Sequence, residues 1–265
     1  MKKAAVLIDF TDISEKVALF AAGFAGMYEL DVEFIHIAES EDSENIRDMK
    51  NKMNSYISRV NENGRSASFN IHFGKFFNVI RPVLENSGAD IVIVGTHGKH
   101  GLKQNLFGSY ILKLIQSIHL PSLVIQQGTE WKSAGLKKAL CPVSSHDTYL
   151  NLIESASKIT GVSGELDIYA IHKTDDLDAD SSRNLKDAVS FLQSNNLPHK
   201  LIEEDANMYS VGFAKQTLHY VENNSYDLIC IHAQVSDSSR YFGEMDKENI
   251  LFNAMNIPVL CFDGE

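Results

Sequence analysis

Leu84-Glu85-Asn86-Ser87-Gly88-Ala89-Asp90-Ile91-Val92-Ile93-Val94 is written again, with small changes, as Val221-Glu222-Asn223-Asn224-Ser225-Tyr226-Asp227-Leu228-Ile229-Cys230-Ile231. In both copies 31 positions separate the aspartate from a proline that opens a last apolar strand, Pro121-Ser-Leu-Val-Ile and Pro258-Val-Leu-Cys-Phe. Equal spacing over such a length marks two homologous units. Working outward, Val32-Glu-Phe-Ile-His36-Ile corresponds to Leu166-Asp-Ile-Tyr-Ala-Ile-His172, and the opening strand Ala4 to Ile8 to Ala139–Val143. The join falls at Gln127 to Gly135, which gives domains at 1–129 and 134–265.

Within each unit short apolar strands alternate with amphipathic helices. In the first, the pattern predicts strands near 3–9, 32–38, 67–72, 90–95 and 121–126, and helices near 12–28, 43–62, 75–87 and 108–118. Such alternation implies right-handed βαβ crossovers and a parallel sheet covered on both faces, an α/β fold. Ligands of such sheets sit at the carboxyl ends of the strands, where strand order reverses. Asp9, after the first strand, and the glycine turn after Val94 open onto that crevice.

That turn carries the chemistry. Gly95-Thr96-His97-Gly98, nine further residues and then Gly108-Ser109 stand between the strand Ile91–Val94 and the helical stretch Tyr110 to Ile118. Small residues there leave backbone N–H groups free to face a phosphate chain. From Ile91 to Thr129 there is no Asp or Glu, although the chain has 35 acids in 265 residues, while Lys99, Lys103, Lys113, His97 and His100 lie inside the gap. A triphosphate meets donors and positive charge without a carboxylate to repel it.

The formal net charge of −11 argues against nonspecific binding to nucleic acid or anionic lipid. No apolar run is long enough to span a bilayer, and Asp9 interrupts the opening apolar run before a signal-peptide core forms. Cys141, Cys230 and Cys261 all fall in strand candidates, an odd number with no C-x-x-C pair. They read as reduced core thiols of a cytosolic protein.

Other candidates are weaker. Asp12 and Glu15 already supply a D-x-x-E helix start, which leaves Asp9 spare for a ligand. His36 and His172, ending matching strands, read as structural. Lys50, Lys52, Tyr56 and Arg59 read as a solvated helix face, and Asp175 to Asp180 as an exposed acidic loop. No G-x-S-x-G, H-E-x-x-H, Walker A lysine or S-G-G-x-D-S loop is present. Without a nucleophile beside a base, dedicated catalysis is not expected; slow ATP hydrolysis by a positioned water is compatible with the pattern.

These residues resemble the universal stress protein family in a tandem two-domain form. The N-terminal unit carries that family's ATP-binding pattern, G-x2-G-x9-G-[S/T], as Gly95, Gly98, Gly108 and Ser109, with the strand-ending acid Asp9 and the pair His36-Ile37 in support. The resemblance implies two Rossmann-like domains of the adenine nucleotide alpha hydrolase-like type. Each is a five-stranded parallel sheet of order 3-2-1-4-5 with helices on both faces. It implies Asp9 and Ile37 beside adenine and ribose, Gly98 and Lys99 along the phosphates, and Ser109 at the γ-phosphate with Mg2+. Phe10, Thr11, Gly95, His97, Gly101, Gly108 and Tyr110 complete the implied site, and the metal is held through the phosphates rather than by protein side chains. It further implies an intramolecular pseudo-dimer through the last strands, Leu123–Gln126 and Val259–Phe262, and leaves a further homodimer open.

The C-terminal unit departs from the pattern. By the repeat alignment His232 replaces Gly95, Val235 Gly98, Met245 Gly108, Asp246 Ser109 and Ser144 Asp9, and Asp237, Glu244 and Glu248 add negative charge. The expectation is one ATP (or ADP or AMP) per chain, in the N-terminal domain, serving a cytosolic stress response as a regulatory switch. The alternatives are a nucleotide-free protein–protein scaffold and, below it, a hydrolase or nucleotidyl transferase on the same fold.

Overall fold

The computed structural model describes residues 1–40, 43–96, 108–172, 177–206, 213–233 and 244–263. Its first half runs β1 (Lys3–Leu7), α1 (Asp12–Tyr28), β2 (Asp31–Ala38), α2 (Ser43–Glu62), β3 (Ala67–Phe73), α3 (Phe76–Ser87), β4 (Ile91–Thr96), α4 (Gly108–Gln116) and β5 (Ser122–Gln126). The second half runs β6 (Lys138–Pro142), α5 (Tyr149–Thr160), β7 (Glu165–His172), α6 (Ala179–Ser194), β8 (Leu201–Asp205), α7 (Ala214–Asn224), β9 (Leu228–Ile231), α8 (Glu244–Leu251) and β10 (Val259–Cys261). Two compact units result, one of Met1–Gln104 with Ser122–Gly135 and one of Asn105–Pro121 with Leu136–Glu265. Helix α4 thus groups with the second unit, where it packs against α8 and Gln116 Nε2 donates to Ala233 O at 3.1 Å.

In the first unit the strands lie in the order β3-β2-β1-β4-β5, all parallel. β1, β4 and β5 are apolar without alternation because helices cover both sides of the sheet: Ala4 to Val6, Ile91–Val94 and Leu123–Ile125 are all buried. Leu7 is opposite both Ile35 of β2 and Val94 of β4, so the residues that follow these three strands gather at the point where strand order reverses. Helix α1 buries Ile13, Val17, Phe20, Ala21 and Phe24 against the sheet side. Helix α2 turns Met53, Tyr56 and Val60 inward, so Tyr56 belongs to the core beside Phe34, with ring centroids 5.8 Å apart, and not to a solvated face. Its hydrophobic period survives in a polar sequence, which is why composition alone hid it.

The join is anchored rather than loose. Trp131 stands edge-on to Phe20 at 5.2 Å and to Phe24 at 6.0 Å, over Gly23 of α1. A Cβ at Gly23 would lie 2.3 Å from the indole, so only glycine admits the ring there.

The second unit has the order β10-β9-β6-β7-β8, again parallel, the same arrangement in mirror listing. The duplication extends to hydrogen bonds at the amino ends of the strands. Asp90 N–H donates to Lys3 O at 2.9 Å, and Asp227 N–H to Lys138 O at 2.8 Å. Each aspartate carboxylate accepts the lysine's own N–H, at 3.1 and 3.2 Å. Each lysine Nζ caps the preceding helix, on Ser87 O at 2.6 Å and Asn224 O at 3.0 Å.

Strand register corrects one pairing of histidines. Lys3 faces Asp31 while Lys138 faces Glu165, so Ala170 takes the place of His36, and His172 that of Ala38. His172 instead lies half-buried, 3.2 Å from Glu203. Of the acidic run, Asp175 and Asp176 lie outside the described residues, whereas Asp178 caps α6, accepting from Ser181 N at 2.9 Å, and Asp180 lies in its first turn. Side-chain oxygens at a helix start satisfy N–H groups that the helix itself leaves free. Cys141, Cys230 and Cys261 are free and buried, and burial pushes the Cys230 and Cys261 thiols well up, away from reactivity.

Candidate functional site

The candidate site lies at the carboxyl ends of β1, β2 and β4. After Leu7 the chain keeps one more sheet bond, Ile8 N–H to Ile35 O at 2.9 Å, and then turns sharply. The turn is fixed by Asp9. Its Oδ1 accepts from Thr11 N–H at 3.0 Å, from the Thr11 hydroxyl and from Ser14 Oγ at 2.8 Å, while Asp9 N–H donates back to Ser14 Oγ at 3.3 Å. Thr11, the N-cap of α1, makes no side-chain cap bond, and Glu15 pairs with Arg59 at 2.8 Å. Asp9 is therefore not spare from the helix start: one of its oxygens begins the helix. The other, Oδ2, has no hydrogen bond among the described residues, and the side chain is exposed. Ser14, buried and five positions after Asp9, is the residue that sequence reasoning missed; the D-x4-S spacing is its signal.

The turn places Phe10 in left-handed backbone, φ 60°, an uncommon conformation for an aromatic residue. Its ring stands edge-on to His36 at 4.7 Å, and Lys52 Nζ of α2 lies 5.8 Å from its centroid, within cation–π range. His36 is buried and its Nδ1 donates to Ile8 O at 2.7 Å, which fixes the tautomer and ties β2 to the turn. Burial pushes the His36 imidazole down, against the opposing pull of the Ile8 carbonyl and the Asp9 charge. His36 keeps the structural role expected of it. Ile37, next along β2, is partly exposed and pairs with His72 of β3.

Gly95, at the end of β4, is buried for a reason beyond phosphate approach. A Cβ there would lie 2.6 Å from Val17 Cγ2 and 3.1 Å from Ile13 Cδ1, so α1 itself requires the bare backbone. His97, Gly98, Lys99 and Gly101 lie outside the described residues. Gly108 and Ser109 begin α4, and Tyr110 in the same turn is partly buried. The described geometry thus brings Asp9, Phe10, Thr11, Ile37 and Gly95 to neighbouring strand ends.

A profile of the Universal stress protein family matches residues 1–126. Residues 1–126 thus carry the likeness to universal stress proteins. Two curated relatives come from Methanocaldococcus jannaschii: universal stress protein MJ0577, 29% identical over 122 residues, 46% of this chain and 74% of that protein, and universal stress protein MJ0531, 27% identical over 140 residues, 48% of this chain and 82% of that protein. Among solved structures, a universal stress protein from Archaeoglobus fulgidus aligns over 99% of this chain and 98% of its own, with a TM-score of 0.72 and 15% identity. At that identity the likeness shows the fold, and it extends over both units.

The equivalent place in the second unit is built differently from this candidate site. Register puts His232 at the position of Gly95 and Ser144 at that of Asp9. His232 is buried and its ring stacks on His146 with centroids 4.4 Å apart. An imidazole stands where the first unit has bare backbone. Val235 and Asp237 lie outside the described residues; Glu244, Met245 and Asp246 form the first turn of α8.

Proposed function

We propose that the N-terminal unit binds ATP, one nucleotide per chain, and that occupancy acts as a regulatory switch in a cytosolic stress response. One observation carries the reading. At the first strand-order reversal an exposed carboxylate is held rigid through one oxygen with the other unbonded, while the second reversal is filled by His232 and His146. A carboxylate so fixed accepts from ribose hydroxyls or the adenine amino group without losing freedom on binding.

The partly exposed aliphatic side chain of Ile37 suits packing on a purine face. On this reading Gly98, Lys99 and Gly101 run along the phosphates and His97 touches them. Mg2+ on this reading enters on the phosphates. No helix among the described residues is long and apolar enough to cross a membrane. On this reading the chemistry is nucleotide binding with at most slow hydrolysis by a positioned water.

Titration calorimetry with ATP and Mg2+ tests the reading. The expected result is one equivalent per chain, lost in Gly98→Val and weakened in Asp9→Ala. Two equivalents, or unchanged affinity in both variants, would overturn it; no binding at all would favour a nucleotide-free scaffold.

A further inference from the structure

The stacked histidines of the second unit form a hydrogen-bonded chain with a single workable proton arrangement. The planes of His146 and His232 are 9° from parallel. His146 Nδ1 accepts the Thr148 backbone N–H at 3.4 Å, which leaves that nitrogen a lone pair and no proton. Thr148 Oγ1 lies 3.0 Å from the same nitrogen and 3.3 Å from His232 Nε2. The hydroxyl hydrogen therefore goes to His146, and His232 Nε2–H donates to the hydroxyl oxygen. Thr148 is the N-cap of α5 and offers its own helix no side-chain cap. The turn into α5 is set by His146, whose carbonyl accepts Tyr149 N–H at 3.0 Å and Asn184 Nδ2 of α6 at 2.8 Å.

This chain holds only while both rings are neutral. A proton on His146 Nδ1 turns the acceptor of two bonds into a donor facing two donors. A proton on His232 Nδ1, a buried atom without a hydrogen-bond partner among the described residues, places charge against the stacked ring. The groups around the pair do not relieve it. Burial above all, then His146 and the buried Lys247 of α8, push the His232 imidazole well down. Tyr149 of α5 is neutral, its ring 6.1 Å away, and the Cys230 thiol of β9 is held protonated by burial. Asp263, after β10, accepts from Ala233 N–H at 3.1 Å, and Arg183 of α6 faces Asp147 at 3.7 Å on the outside.

We propose that His146, Thr148 and His232 form an acid-sensitive latch, which at neutral pH pins the start of α5 to the end of β9 and at mildly acidic pH lets both go. An unfolded histidine takes up its proton near pH 6.5, roughly the model-peptide value, whereas folded His232 does not. The unfolded chain then binds more protons, so stability of this unit is full above that pH and falls below it. The latch stands apart from the nucleotide reading of the first unit.

Hydrogen exchange of the full chain, read by mass spectrometry at about pH 7.5 and 5.5 and corrected for intrinsic rates, tests it. Protection of residues 149–156 and 228–232 is expected to fall about tenfold at the lower pH, since one pH unit below its ordinary value an unfolded imidazole is protonated about ten to one while folded His232 stays neutral. His232→Phe keeps a flat ring that cannot titrate and should abolish the fall. Thr148→Val should reduce protection about fivefold already at neutral pH, and Thr148→Ser should restore it. Exchange localised to the second unit separates the latch from His36, which is also acid-sensitive, in the first. Protection unchanged with pH, or Thr148→Val and Thr148→Ser both behaving like the native chain, would overturn the proposal, whether or not His232→Phe folds.

Discussion

Gly95→Ala adds one methyl group, and the structure says where it must go. The new Cβ would lie 2.6 Å from Val17 Cγ2 and 3.1 Å from Ile13 Cδ1, where carbon atoms pack comfortably at about 3.5–4.0 Å. Either α1 moves off the sheet by about 1 Å or Val17 leaves its rotamer; the second route alone costs about 0.5–1.5 kcal/mol, and overpacking of this kind about 1–3 kcal/mol in all. We expect a loss near 2 kcal/mol. Trimming the obstacle isolates the cause. Val17→Ala alone should cost about 2 kcal/mol, since it removes two buried carbons at about 0.8 kcal/mol each and leaves a small cavity. The double variant puts the added methyl into that space.

Urea titration read by Trp131, the chain's one tryptophan, is the assay, because the indole sits on Gly23 of the same helix and reports the docking of α1. Contact between the two sites should make the double variant about 1–2 kcal/mol more stable than the sum of the singles implies. Additive losses, or a Gly95→Ala cost below about 0.5 kcal/mol, would show that α1 does not need the glycine and that its role lies with the ligand alone.

Gly23→Ala puts a carbon 2.3 Å from the Trp131 indole, so the ring should be expelled, with a red-shifted emission and a loss of about 2–3 kcal/mol in the same urea titration. Ser14→Ala removes the buried hydroxyl that holds Asp9 from both sides; we expect about 1–2 kcal/mol less stability and weaker ATP binding by calorimetry, whereas unchanged affinity would show that Asp9 needs no such support.

The sheet and its crossovers were legible because periodicity is written in whole elements: a purely apolar β4 and an amphipathic α1 leave little choice of period. The site was legible only in part, for two physical reasons. Asp9 looked dispensable to the helix because a D-x-x-E start follows it, yet the hydrogen bonds go to Asp9, and capping geometry depends on a backbone turn that Phe10 makes with φ 60°. Gly95 fitted a phosphate pattern, but its nearest neighbours are side chains from a helix about 80 residues earlier, a contact that spacing cannot reveal. Buried Tyr56 and the shifted partner of His36 failed for a related reason: each depends on which face or register position a residue takes, and one step changes the answer.

Duplication followed by divergence has left the two ends of the strands in different states. At the amino ends, Lys3 with Asp90 and Lys138 with Asp227 make the same pair of backbone bonds and the same lysine cap on the preceding helix. Those bonds serve the sheet by pairing the backbone where each strand begins, and both copies keep them. At the carboxyl ends, Asp9 and Gly95 in one unit stand against Ser144 and His232 in the other. A parallel sheet tolerates change there because its own hydrogen bonds have already ended, and what remains is crevice. An imidazole filling that crevice cannot coexist with a phosphate chain approaching the same backbone, yet it brings a titratable group that the glycine lacked. If both proposals hold, the two units answer to different chemical inputs, an anion in the first and the proton in the second, on one and the same strand order.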